Sequence, residues 1–174
     1  FLFDWNNNGL EDLLFSDING EHQVSFNIGS RANPKFDIPE KLQIQTENAQ
    51  NEPFITVWRV KPTAIRSANG IVRYYCLDEE GKLAQYEKIG DKDSLVLKKL
   101  GLMLGPDSEE FTFTTRSGGS LGRLKFQFFD WDQQGVPDLL IGTPGGHDFR
   151  QISSEKPIEH YGIATVAIAR NSGT

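Results

Sequence analysis

Two stretches of the sequence are nearly identical, although they lie far apart in the chain. Residues 4–14 read DWNNNGLEDLL and residues 130–140 read DWDQQGVPDLL. In both stretches a glycine occupies the sixth position and Asp-Leu-Leu closes the pattern. Local sequence that recurs in this way indicates a fold built from repeated structural units.

A third and less similar copy lies between the other two. When Gly9 is aligned with Gly70, residues 12–26 fall on residues 73–87 without a gap, and the turn sequences DING and DEEG coincide. The spacing predicts three copies of a unit of roughly 60 residues, the size of a four-stranded β-propeller blade. The predicted blades cover approximately residues 1–53, 54–116 and 117–174 of one propeller fragment.

Strand-forming residues dominate each copy. The chain contains 12 Phe, four Tyr and 17 Gly, a composition that favours strands and turns. Residues 94–104 come closest to helical periodicity, but their apolar positions also fit an extended segment, and Gly101 weakens a helix. We predict an all-β fold of antiparallel blades, with residues 45–53 as an exposed connection. The predicted strands are 1–3, 12–15, 22–26, 54–60, 73–77, 82–88, 111–115, 124–129, 138–142 and 163–169.

Charge and composition exclude several classes of protein. The net charge of −6 argues against a nucleic-acid partner, because phosphate groups would be repelled. No apolar run is long enough to predict a membrane span. The single cysteine, Cys76, excludes an internal disulfide, so any cross-link within this chain has to come from another source.

The first copy has the spacing of a loop that binds a hard cation. Oxygen-bearing side chains stand at positions one, three, five and nine of DWNNNGLED, and the glycine at position six permits a sharp turn. Calcium prefers a shell of about six to eight oxygen atoms. The candidate ligands are Asp4, Asn6, Asn8, Asp12 and the backbone carbonyl of Leu10.

The third copy offers a similar set of oxygens, and the second copy does not. In the third copy the candidate ligands are Asp130, Asp132, Gln134, Asp138 and the carbonyl of Val136, although the Gln134 side chain is one methylene longer than Asn. In the second copy Ile65 and Arg73 replace the two end carboxylates, so no cation is predicted there. The Arg73 guanidinium is expected to hold that loop through neighbouring carbonyl groups instead.

An ordinary turn is the alternative explanation of these loops. Asp, Asn and Gly favour turns without any ion. Two copies in register, each followed by Asp-Leu-Leu, favour a cation in at least the first loop. Such an ion would be structural, because a shell of protein oxygens leaves little room for a substrate.

The loop-then-strand pattern resembles the FG-GAP/VCBS repeats of integrin-type and bacterial secreted β-propellers. DWNNNGLEDLLFSDINGE and DWDQQGVPDLLIG are similar to their signature D-x-D-x-D-G-x-x-D-L. The resemblance implies calcium-binding loops and an extracellular, secreted or cell-surface protein, whose partners are carbohydrates or extracellular proteins. Three blades cannot close a propeller, so we expect the remaining blades in a longer chain or elsewhere.

The longest irregular segment, residues 143–162, is the candidate position for a catalytic site. It contains His147, Arg150, His160 and Tyr161, which include a base and a cation of the kind that a polysaccharide lyase needs for an acidic glycan. A solvated loop without catalytic residues is the alternative. Three functions therefore remain open: a calcium-stabilised binding segment, part of a polysaccharide lyase, and a purely structural scaffold.

Overall fold

A computed structural model describes residues 1–56, 61–104, 110, 113–115, 124–143, 147–149 and 165–169. Its regular elements are fifteen β-strands, and the described residues contain no helix, which confirms the all-β prediction. The described strands form four sheets, and the last two of these sheets are interleaved along the chain. A strand was predicted over residues 54–60, but residues 54–56 form only an isolated bridge between Ile55 and Glu21. Residues 57–60 and the candidate residues Arg150, His160 and Tyr161 lie outside the described residues.

The first sheet is an antiparallel meander of four strands in sequence order. The two central strands, β2 and β3, are joined by the turn 17–20, in which the Gly20 amide donates to the Asp17 carbonyl at 3.2 Å. Burial alternates along most of this hairpin, as expected for a sheet with one covered face, although Ser25 is buried next to Val24. The four strands are β1 (Leu2–Phe3), β2 (Asp12–Ser16), β3 (His22–Ser25) and β4 (Glu40–Lys41).

The second sheet has six strands in the order β6-β5-β10-β9-β8-β7. Residues 94–104, the closest match to helical periodicity, contain strand β10, and a register shift occurs next to Gly101. Residues 45–53, predicted as an exposed connection, instead include β6, which pairs with β5, while β5 pairs in parallel with β10. The strands are β5 (Gln43–Gln45), β6 (Asn51–Pro53), β7 (Thr63–Arg66), β8 (Val72–Leu77), β9 (Leu83–Ile89) and β10 (Val96–Leu102).

The remaining strands form one three-stranded and one two-stranded sheet. The three-stranded sheet, hereafter the third sheet, has the order β12-β13-β15 and is antiparallel throughout. A single parallel bridge between Lys61 and Lys125 links it to the segment before β7. The strands are β11 (Phe113–Thr115), β12 (Lys125–Phe129), β13 (Asp138–Thr143), β14 (His147–Phe149) and β15 (Thr165–Ala169), of which β11 pairs with β14.

The second sheet has a hydrophobic cluster on each of its faces. Tyr74 is fully buried in the cluster shared with the first sheet, and its neighbour Tyr75 is buried in the cluster shared with the third sheet. Successive residues of a strand point to opposite faces. In a sheet with one solvated face, only one of two adjacent tyrosines would belong to a core. That expectation is wrong here, because both faces of the second sheet are covered. The three sheets thus pack face to face in chain order.

Candidate functional site

The first and third loops have the same backbone conformation. The fourth residue of each loop, Asn7 or Gln133, has a φ of 59°. The glycine at the sixth position has a φ of 85° in the first loop and 84° in the third. Left-handed conformations at both positions fold each loop back on itself, so that its first and ninth residues can lie on one side.

The first aspartate of each loop accepts two backbone hydrogen bonds from inside the loop. The Asp4 carboxylate accepts from the amides of Asn8 at 3.0 Å and Gly9 at 2.9 Å. Asp130 accepts from the amides of Gln134 at 3.0 Å and Gly135 at 2.8 Å. These bonds hold the carboxylates in place, and each oxygen retains a lone pair for a further partner.

The last aspartate of each loop is buried. Asp12 is fully buried, and its two oxygens accept from the amides of Trp5 at 2.8 Å and Asn27 at 2.9 Å. Burial raises the pKa of the Asp12 carboxyl, while the amide donors of Asn27 and Trp5 act in the opposite direction. Asp138 is 1% exposed and accepts from the Trp131 amide at 3.2 Å. A nearby cation would favour the charged form of such a buried carboxylate.

The asparagines of the first loop differ in how they are bonded. The Asn8 side-chain oxygen accepts from the Leu10 amide at 2.8 Å. The Asn6 amide nitrogen donates to an Asp93 oxygen at 3.2 Å, whereas the Asn6 side-chain oxygen is buried and has no hydrogen-bond partner. A buried oxygen without a donor is costly, and a cation would satisfy it.

The other predicted ligands of the third loop are enclosed to a similar degree as their counterparts Asn6, Asn8 and Leu10 in the first loop. Asp132 and Val136 are partly buried, and Gln134 is exposed. Within the described residues, no cluster of three or more His, Cys, Asp or Glu side chains is arranged to hold a metal ion. The first loop would rely instead on two carboxylates, two side-chain amides and one carbonyl, a donor set that suits a hard cation such as calcium.

The second loop is held by an arginine that sequence alignment did not identify. The Arg66 guanidinium donates to the Gly70 carbonyl at 3.1 Å and to the Asp4 carbonyl of the first loop at 2.7 Å. Arg73, expected to bind loop carbonyls, instead forms an ion pair with Glu87 on strand β9. The expectation for Arg73 is wrong, because the adjacent strand supplies a closer acidic partner.

The candidate catalytic residues are not brought together by the described part of the chain. His147 opens strand β14 and pairs with Thr115 of β11. Arg150, His160 and Tyr161 lie outside the described residues. A catalytic role for these four residues therefore stays a prediction.

A buried polar cluster was not found by the sequence analysis. His22 is fully buried, and its two ring nitrogens lie 2.6 Å from the Tyr74 hydroxyl and 2.6 Å from the Thr56 hydroxyl. Burial lowers the pKa of His22 to about 3. One sequence feature could have indicated that His22 is buried. In the repeat alignment His22 falls on Leu83, an apolar residue of the second copy that is buried in the structure.

Comparisons with known proteins do not assign the chain to a family. None of the described segments forms a helix that is long and apolar enough to cross a membrane. No family model, curated protein or solved structure matches the chain. The likeness to FG-GAP/VCBS repeats therefore rests on the loop sequences alone.

Proposed function

We propose that this chain is a calcium-stabilised β-propeller segment of a secreted or cell-surface protein, which binds a carbohydrate or another extracellular partner. The observation that carries the calcium assignment is the buried Asn6 side-chain oxygen without a donor, inside a loop that also holds Asp4 and Asp12. Asn8 and the carbonyl of Leu10 complete the proposed ligands of the first loop. The bound ion would neutralise the carboxylates and fasten the loop to strand β2.

The arrangement of the sheets supports the propeller part of the proposal. A blade of a propeller packs its two faces against the blades before and after it. The second sheet is covered in this way, with Tyr74 in one cluster and Tyr75 in the other. In this proposal the first, second and third sheets are consecutive blades, and further blades complete the ring.

Thermal unfolding with and without calcium tests the cation. An ion that binds only the folded state at about 100 times its Kd adds about 2.7 kcal/mol, or about 5–10 °C for a chain of this size. We expect EDTA to lower the Tm and excess calcium, but not equal magnesium, to restore it. The Asp4→Asn variant should lose most of the calcium-dependent shift. An identical Tm in EDTA and in calcium would refute the calcium assignment.

The binding role requires its own test, because it rests on the resemblance and not on the loop geometry. A glycan array and extracellular-matrix proteins, probed with the calcium-loaded chain, are expected to give binding that EDTA weakens. If no binding is detected in either assay while the Tm still depends on calcium, a purely structural scaffold would be the better-supported function. Turnover of an acidic glycan that is lost in the Arg150→Ala variant would instead support the lyase.

A further inference from the structure

The turn between β9 and β10 lies directly against the first loop. The Trp5 indole nitrogen donates to the Ser94 carbonyl at 3.0 Å, and the Asn6 amide donates to the Asp93 carboxylate at 3.2 Å. The Lys88 ammonium donates to the Trp5 carbonyl at 2.9 Å. The first loop is therefore held by residues of the second sheet as well as by its own strand.

Asn6 links the turn between β9 and β10 to the proposed ion. Its side chain has one oxygen and one nitrogen, and they face different environments. The nitrogen is bonded to Asp93, and the oxygen is buried without a partner. A carboxylate that accepts from one end of a ligand side chain fixes its orientation and increases the electron density at the other end.

We propose that Asp93 is a positioning residue for the cation of the first loop, so that calcium binding in the first sheet depends on the second sheet. The inference rests on the proposed calcium site. Asp93 does not itself touch the ion in this proposal. It orients the Asn6 oxygen toward the ion, and the ion in turn polarises the Asn6 amide and strengthens the bond to Asp93.

The same contact gives a reason for an asparagine at the third position of this loop. The third loop has Asp132 at that position. In the first loop an aspartate would place its carboxylate beside the Asp93 carboxylate, which lies 3.2 Å from the Asn6 nitrogen. Two like charges at that distance repel, so an extra acid would not give the usual gain in cation affinity.

Calcium titration of five variants, one of them a control, tests the inference. The measurements are the Kd from calorimetry and the difference between the Tm in calcium and in EDTA. We expect Asp93→Ala to weaken calcium binding about tenfold, the lower end for such partners, because the Asp93 side chain is 56% exposed. A more discriminating comparison measures the effect of Asp93→Asn twice, once in the wild-type chain and once in the Asn6→Asp variant. Glu47→Gln, an exposed change of equal charge in the β5–β6 turn, is the control.

The expected result is a reversal of sign. Asp93→Asn should weaken calcium binding in the wild-type chain, because Asn6 loses a charged acceptor. In the Asn6→Asp variant it should strengthen binding, because the repulsion ends and the amide introduced by Asp93→Asn can donate to the new carboxylate. The inference would be overturned if Asp93→Asn had equal effects in both backgrounds, or if the Asp93→Ala variant bound calcium as the wild type does. Either result would leave the proposed calcium site intact. A wild-type chain without any calcium response would overturn the proposed function first, and this inference with it.

Discussion

Trp5 and Trp131 occupy the same position in two similar loops, yet Trp5 is fully buried and Trp131 is 52% exposed. Each backbone amide donates to the last aspartate of its own loop. The Trp5 ring meets Tyr74 of the second sheet edge-on, with 6.2 Å between the ring centroids. The difference in exposure follows from the second sheet, which covers the first loop.

The two tryptophans should therefore differ in their contribution to stability. We expect Trp5→Ala to lower the free energy of unfolding by about 3–5 kcal/mol, because it removes a fully buried aromatic ring. Trp131→Ala, the matched control, should cost less than about 1 kcal/mol. Urea unfolding of both variants in EDTA measures the difference without a contribution from bound ions. Equal costs would show that Trp131 is covered in solution.

Two glycines with the same backbone conformation should respond differently to alanine. Gly9 has a φ of 85° with open space around an added Cβ, whereas Gly20 has a φ of 81° and an added Cβ would lie 2.2 Å from the Thr56 carbonyl oxygen. We expect Gly9→Ala to cost about 1–2 kcal/mol from the left-handed conformation alone. Gly20→Ala should cost about 2 kcal/mol more, because the backbone of Thr56 must move.

Chemical unfolding in EDTA measures both glycine variants under one condition. EDTA is needed because Gly9 lies in the proposed calcium loop. If the two variants lose the same stability, the close approach of Thr56 to Gly20 does not exist in solution.

Stability should fall between pH 7 and pH 5 because His22 is buried in its neutral form. Burial lowers the pKa of His22 to about 3, although Asp17 acts in the opposite direction. The folded pKa lies below the ordinary value of 6.5, so the unfolded chain binds the proton first as the pH falls. The loss should be about 1.4 kcal/mol per pH unit below pH 6.5, or about 2 kcal/mol by pH 5.

The His22→Gln variant isolates this effect from the other titrating groups. Glutamine keeps one donor and one acceptor for the Tyr74 and Thr56 hydroxyls but does not titrate. The variant should be less stable at pH 7 and should lose about 2 kcal/mol less than the wild type on acidification to pH 5. Parallel pH profiles of the two proteins, recorded by urea unfolding, would contradict the assignment.

Local sequence was sufficient for most of the strands and for the two loops. Alternating apolar residues and the Asp-to-Gly turns identify strands such as β2 and β3, because those signals act within a few residues. Strand β6 was missed, since its residues are polar and exposed, and only the parallel pairing of β5 with β10 brings this hairpin into the second sheet.

The residues that contact the first loop from the second sheet could not be predicted from local sequence for the same reason. Nothing in residues 91–94 signals that Asp93 would bond to Asn6, because the contact joins two sheets that are distant in the chain. The Arg66 contact with the Asp4 carbonyl is equally non-local. Repeat alignment identifies the loop but cannot show which residues of the next sheet lie against it.

Substitution of two neighbouring glutamines of the third loop distinguishes the effect of backbone strain from the effect of a ligand side chain that is too long. Gln133 has a φ of 59°, like Asn7 in the first loop, and asparagine tolerates this conformation better than glutamine. Gln133→Asn should therefore raise the free energy of unfolding by about 0.5–1 kcal/mol, equally in calcium and in EDTA.

Gln134→Asn should instead act mainly through the cation. The shorter amide can accept from the Val136 amide, as Asn8 accepts from Leu10 at 2.8 Å, and this places its oxygen inside the loop. We expect the calcium-dependent part of the Tm to increase and a second, tighter binding event to appear in calorimetry. Because the two substitutions shorten adjacent side chains identically, Gln133→Asn is the control. A gain for Gln134→Asn that is equally large in EDTA would mean that the third loop is only a turn.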